Sequence, residues 1–154
     1  MITVGQKAPD FSLPAGDGTN IRLRDFKGKS VVVFFYPKDN TPGCTREACD
    51  FRDNFARLKK LGVVVIGISP DSPTSHRAFA NKHKLPFLLL SDEGKEVAKA
   101  FGVWKKKKLY GREFMGIVRT TFLIDPRGTI VRRFDNVRVA RHVDQLIESL
   151  KHGG

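Results

Sequence analysis

Both cysteines of the chain, Cys44 and Cys49, lie in one short stretch, Tyr36-Pro37-Lys38-Asp39-Asn40-Thr41-Pro42-Gly43-Cys44-Thr45-Arg46-Glu47-Ala48-Cys49. An apolar run, Ser30 to Tyr36, precedes it and reads as a buried strand, and an amphipathic helix follows. A thiol at a helix N-terminus sits where the macrodipole favours the thiolate, the reactive form of cysteine. Thr41 supplies a hydroxyl three residues before Cys44, and Gly43 lets the backbone approach closely. The Gly43 and Cys44 N–H groups side by side make an anion-binding nest. Taken singly, a cysteine on an apolar helix face is more often a small inert core residue, and Cys49 alone reads that way more strongly still. A hydroxyl, two amides and a thiolate converging on one point argue instead for thiol redox chemistry.

Helical periodicity places the two thiols. Apolar residues recur at Ala48, Phe51, Phe55 and Leu58, spaced by three and four. Cys44 falls within that stripe and should face the protein body in the first turn, while Cys49 lies roughly 140° around the axis, off the apolar face. In a regular helix their Cα atoms are about 8–9 Å apart. A disulfide needs about 4.4–6.8 Å. The two can therefore bond only if at least the first turn unwinds.

Pro37, Thr41 and Cys44 form a Pro-x-x-x-Thr-x-x-Cys pattern that resembles the active-site motif of the peroxiredoxins. The second cysteine five residues on makes the chain similar to the Q-type group, the bacterioferritin comigratory proteins. The likeness continues through Gly5-Gln6-Lys7-Ala8-Pro9-Asp10-Phe11, Tyr36-Pro37-Lys38-Asp39, Leu109-Tyr110-Gly111 and Arg119-Thr120-Thr121-Phe122-Leu123-Ile124-Asp125, essentially the whole chain. It implies a peroxidase acting on hydrogen peroxide and organic hydroperoxides without metal or organic cofactor. In it Cys44 attacks the peroxide and becomes a sulfenic acid. Cys49 then condenses with Cys44 to an intramolecular disulfide, which thioredoxin or a similar dithiol reduces. Thr41, the Gly43 and Cys44 amides and Arg119 hold the peroxide, and Pro37 shields the site from water. Read from its own surroundings, Arg119 interrupts an otherwise uncharged strand, so its guanidinium either sits at an edge in water or pairs with an anion. The resemblance selects the second and brings it to Cys44.

The elements that must position these residues follow from pattern. With 154 residues, one compact α/β domain over 1–154 is expected, with room for one substantial core. An N-terminal extended section around Gly16-Asp17-Gly18 precedes strand Ser30–Tyr36, helix Cys44–Leu61 stopped by Gly62, and strand Val63–Ser69. This βαβ unit puts Cys44 at the carboxyl end of its first strand, where open α/β sheets place their sites. A helix over Ser72–His83 follows, capped by Ser72 or Asp71 with Pro73 at its first position. Phe87–Leu90 reads as a strand and Lys95–Phe101 as a helix. Lys105–Lys108 reads as a basic loop. Gly116–Ile124 and Thr129–Phe134 form a hairpin across Asp125-Pro126-Arg127-Gly128. An amphipathic helix bearing Val139, Val143, Leu146, Ile147 and Leu150 closes the chain. The order is that of a thioredoxin-like fold, a central mixed sheet flanked by helices, an assignment that rests partly on the resemblance.

Other chemistries fit less well. The formal net charge of +12 raises nucleic-acid binding, and from Trp104 onward 12 Lys/Arg stand against 5 Asp/Glu. No aromatics interleave with the bases, so a solvated basic surface is favoured. Two cysteines with His76, His83, His142 and His152 scattered do not match zinc-ligand spacing, and His76 and His83 read as solvated surface histidines. Trp104 and Phe79 read as core or pocket-rim residues. A thioredoxin-like oxidoreductase would carry Cys-x-x-Cys, and here Thr41 occupies the partner position. The N-terminus, Met1–Gly5, lacks a signal-peptide pattern and no run approaches a membrane span, so with two spaced cysteines the reducing cytoplasm is expected; a monomer is expected as well.

Overall fold

A computed structural model describes residues 2–135 and 137–151; His152 lies outside the described residues. Strand β3 (Ser30–Phe35) is apolar almost throughout and β4 (Val63–Ser69) is buried along nearly its whole length. Such strands belong inside a sheet covered on both faces. They pair in parallel at the centre, Val32 opposite Val65 and Phe34 opposite Gly67. With β5 (Leu88–Ser91), β8 (Thr120–Ile124) and β9 (Ile130–Phe134) they make a five-stranded sheet in the order β5-β4-β3-β8-β9. β5 is parallel to β4, whereas β8 runs antiparallel to both β3 and β9. The sheet is mixed, as expected. Its β8–β9 turn closes through Gly128 N–H to the Asp125 carbonyl (2.9 Å).

Strand alternation divides the core in two. Val31, Val33 and Phe35 point into a cluster with Ile66, Phe101 and Phe122. Val32, Phe34 and Tyr36 point to the opposite face, where they meet Cys44, Phe51, Phe79 and Leu146. The second cluster is roofed by α1 (Pro42–Asp53), α2 (Phe55–Lys60), α3 (Pro73–His83) and α5 (His142–Lys151). A short α4 (Glu96–Ala100) contributes Val97 and Ala98 to the first. The N-terminal section forms a small hairpin, β1 (Ser12–Pro14) with β2 (Asn20–Arg22).

Local signals explain most boundaries. Ser72 caps α3 by accepting the Ser75 N–H (3.1 Å), and Pro73 takes the first position. The single helix expected over Cys44–Leu61 is instead two. At Asn54 the side-chain amide donates to the Asp50 carbonyl (2.8 Å), which also accepts the Asn54 N–H (3.2 Å), and the backbone leaves helical geometry (φ −107°, ψ 9°), so α1 ends and α2 begins there. Val139 precedes α5 rather than lying in it.

Two further expectations are corrected. Lys105–Lys108 is not a loop but most of strand β6 (Trp104–Leu109), paired antiparallel with β7 (Arg112–Ile117). The lysine run conceals the strand because four like charges carry no visible alternation. The strand read as continuous over Gly116–Ile124 breaks at Val118-Arg119: β7 pairs with β6, and β8 pairs with the central sheet. Arg119 thus lies on the crossover between two sheets rather than inside a strand.

Candidate active site

The chain leaves β3 through Tyr36 and half-buried Pro37, turns at Asn40 in the left-handed region (φ 63°), and enters α1 at Thr41. Asparagine tolerates that conformation better than most side chains. Thr41 has extended backbone and is the residue that caps the helix, yet its hydroxyl does not bond the helix. It donates instead to the Lys38 carbonyl (2.8 Å), which leaves its oxygen lone pairs as acceptors. The helical ladder begins with Thr45 N–H to the Thr41 carbonyl (2.8 Å). Pro42 has no N–H, so the Gly43 and Cys44 amides are the free donors of the first turn.

Cys44 is buried on the apolar face of α1, and Cys49 is half-buried off that face. Both are free thiols within one regular helix, so the geometry that forbids their disulfide is present. Arg119 closes the site from the far side of the chain: its Nη2 donates to Cys44 Sγ at 3.2 Å. Its Nη1 pairs with Glu47 Oε1 at 2.5 Å. Of the two placements the sequence left open for Arg119, the structure has the anion-paired one. A Cβ on Gly43 would lie 3.4 Å from Arg119 Nη2, so the absent side chain leaves the guanidinium room to lie along the helix start.

Glu47 is the residue that the sequence reading missed here. It is 1% exposed, and its Oε2 has no partner among the described residues. Burial pushes its carboxyl up to about 7 against the pull of Arg119. At neutral pH the pair is thus balanced between a carboxylate and a hydrogen-bonded neutral acid. The signal was available: Glu47 is three residues after Cys44, about 60° from it on the same helical face. Burial tends to lower the Arg119 pKa, but Glu47 and Cys44 outweigh it and raise it. Nearby His142, bonded to the Thr121 hydroxyl (2.9 Å), is lowered to about 4 by burial and then by the Arg119 charge.

A buried network holds the loop before Thr41. Tyr36 Oη donates to Asp39 Oδ1 (2.6 Å), and Ser75 Oγ donates to Asp39 Oδ2 (2.8 Å). His76 Nδ1 meets Asp39 Oδ2 (2.8 Å) while its Nε2 meets the Leu90 carbonyl (3.0 Å). Both ring nitrogens are thus engaged, one by the Asp39 carboxylate and one by a backbone carbonyl. His76 is therefore no solvated histidine, because Asp39 gives it a reason to be inside; His83 is half-buried, edge-on to Phe79. Phe79 is fully buried core, and Trp104 lies half-buried under Lys95 Nζ (5.1 Å). Asp39, Asp71 and His76 present ligand-type atoms within 4.8 Å of one another. Those atoms are already engaged: Asp71 Oδ2 accepts from the Asp39 amide (2.7 Å) and from Ser69 Oγ (2.6 Å).

A buried thiol at a helix start, held by an arginine on a mixed α/β sheet, defines a thiol-based redox protein. Residues 4–133 match the AhpC/TSA family, and the chain belongs to that family. It is 51% identical over 150 residues to the peroxiredoxin Bcp of Bacillus subtilis, covering 97% of this chain and 96% of that one. It is 48% identical to the peroxiredoxin Bcp of Escherichia coli over the same shares. Among solved structures, Xanthomonas campestris peroxiredoxin Q superposes with a TM-score of 0.88 at 40% identity, over 92% of this chain and 90% of that one. A Xylella fastidiosa peroxiredoxin Q mutant gives 0.94 at 33% identity, over 99% and 98%. The fold is thioredoxin-like, and the protein is a peroxiredoxin, a thiol-dependent peroxidase.

Proposed function

We propose that Cys44 is the attacking thiol of this peroxidase and Cys49 the thiol that resolves it. The observation that carries this reading is the Arg119 guanidinium on Cys44 Sγ (3.2 Å), itself fixed by buried Glu47. The thiolate attacks one peroxide oxygen in line with the O–O bond. That bond breaks, sulfur takes the oxygen as a sulfenic acid, and the second oxygen leaves with the bonding pair and takes a proton to become water or alcohol. Arg119 and the Gly43 and Cys44 amides stabilise the charge that builds on the oxygens, and the Thr41 oxygen accepts from the peroxide O–H. Pro37 walls the site from bulk water.

The start of α1 then opens. The Cys49 thiolate displaces hydroxide from the Cys44 sulfenic acid, giving the disulfide and, with a proton, water. A dithiol such as thioredoxin reduces it by exchange. Hydrogen peroxide and organic hydroperoxides are the substrates. No described helix is long and apolar enough to cross a membrane, and the protein works as a monomer in the cytoplasm, where thiols are kept reduced. The basic surface is solvated rather than a nucleic-acid site.

The test is peroxide-dependent NADPH oxidation with thioredoxin and its reductase. Cys44→Ser should abolish it. Cys49→Ser should keep a single turnover, lose recycling and over-oxidise more readily. Full activity in Cys44→Ser, or no single turnover in Cys49→Ser, contradicts the assignment.

A further inference from the structure

Of the four lysines in β6, Lys107 differs from its neighbours. Lys106 and Lys108 are exposed, and Lys106 meets only Glu113 at 3.8 Å. Lys107 is half-buried, and its Nζ donates to the Ile117 carbonyl (2.9 Å). Ile117 is the last residue of β7, two positions before Arg119. The lysine lies diagonally across the hairpin, since its direct partner is Phe114 while Gly116 faces Lys105. That path exists because residue 116 is glycine: a Cβ there would stand 2.9 Å from Lys107 Cδ. The hairpin is thus shaped to lay one lysine across itself toward the segment that carries Arg119.

Given Cys44 as the attacking thiol, we propose that Lys107 is a second cationic positioning residue of the site, seated over Gly116 and hooked to the Ile117 carbonyl so that it steadies the Arg119 crossover and adds positive charge near the thiol. The electrostatics agree. Burial and then the Arg119 charge lower the Lys107 pKa, while Cys44 acts in the opposite direction, so the ammonium feels both. Among the described residues, Arg119 from the crossover and Glu47 from α1 bring charge to the thiol, and Glu47 neutralises part of Arg119. A further cation offsets that loss. The backbone around Arg119 is also held by Val118 N–H to the Val103 carbonyl (2.9 Å), by Val137 N–H to the Arg119 carbonyl (3.0 Å) and by the Thr120 hydroxyl donating to the Val118 carbonyl (2.7 Å). The Lys107 hook is the side-chain contribution from the hairpin.

The experiment is a thiolate titration of Cys44 by ultraviolet absorbance in a Cys49→Ser background, beside the pH profile of single-turnover hydrogen peroxide reduction. Removing a positive charge disfavours the thiolate. Lys107→Met should move the titration up by about half a unit. Below that pH, reduction should slow roughly threefold. Lys107→Arg should restore most of both. Gly116→Ala, which keeps the lysine but displaces it, should shift the curve the same way, and should add nothing to Lys107→Met. It also carries the test if Lys107→Met does not fold. A titration unmoved in Lys107→Met, equal slowing at every pH, or additive effects of the two changes would overturn the proposal. Failure of the parent to reduce peroxide would instead overturn the peroxidase reading, leaving the titration to judge Lys107.

Discussion

The chemistry rests on how few groups share the Arg119 guanidinium. One nitrogen goes to sulfur and one to Glu47, and both contacts form away from bulk water. Arg119→Met should therefore shift the Cys44 thiolate titration to higher pH and slow peroxide reduction tenfold or more, about the effect of losing a charge-assisted hydrogen bond. A titration curve identical to the parent's would show that the contact carries no energy. Glu47 makes a different prediction, about stability. Its carboxyl stands near 7 in the folded protein against a usual 4.5. The folded state thus binds more protons than the unfolded one between those values, so this group's contribution to stability falls as pH rises from about 4.5 to 7. Glu47→Gln should flatten that part of the profile, read by urea unfolding at pH 5 and pH 7. At this scale the sequence made placement legible: Thr41 and Cys44 at the helix start, Cys49 off its apolar face and, through the resemblance, Arg119 beside Cys44. It was less so for Glu47, whose role depends on an arginine 72 positions away.

At the scale of elements, the break at Asn54 matters most. The sequence reading ran α1 and α2 together because Phe51, Phe55 and Leu58 keep one apolar stripe across the junction, and periodicity does not register a local departure from helical backbone geometry. Oxidation to a Cys44–Cys49 disulfide should melt the segment from about Thr41 to Asp50, since about 8–9 Å must shrink below about 7 Å. Hydrogen exchange should show protection of Thr45–Phe51 amides falling while β3 holds. The break adds a sharper expectation: α2, anchored by fully buried Leu58, should keep its protection. Loss of protection through Lys60 would mean that the two helices open as one. The hairpin β6–β7 was the other illegible element, since its register is set by cross-strand partners that a lysine run does not advertise.

For the whole molecule, the two strands of the central βαβ unit were legible nearly to the residue, because β3 and β4 are apolar runs bounded by turns. The buried polar knot at Asp39 was not. A lone aspartate in a loop and a histidine on a helix 37 positions later reveal nothing until the fold joins them. That knot ties the approach to the active site to α3 and, through Leu90, to β5. Burial alone would raise the Asp39 carboxyl, but bonds from His76 and Tyr36 outweigh it and hold it below its usual 3.8. Its stabilising contribution is therefore present above about pH 4 and is lost as pH falls through the lower folded value. Asp39→Asn should cost about 3 kcal/mol at pH 7 by leaving buried partners unpaired, and much less at pH 3, both read by urea unfolding. Returning to α1, its confinement between Thr41 and Asn54 has an electrochemical meaning. A disulfide that can exist only with the helix open makes helix stability part of the reduction potential. Each 1.4 kcal/mol of helix stability favours the dithiol and makes the couple about 30 mV more oxidising. A short helix with its own end thus works as a voltage setting, adjustable by residues that never touch sulfur.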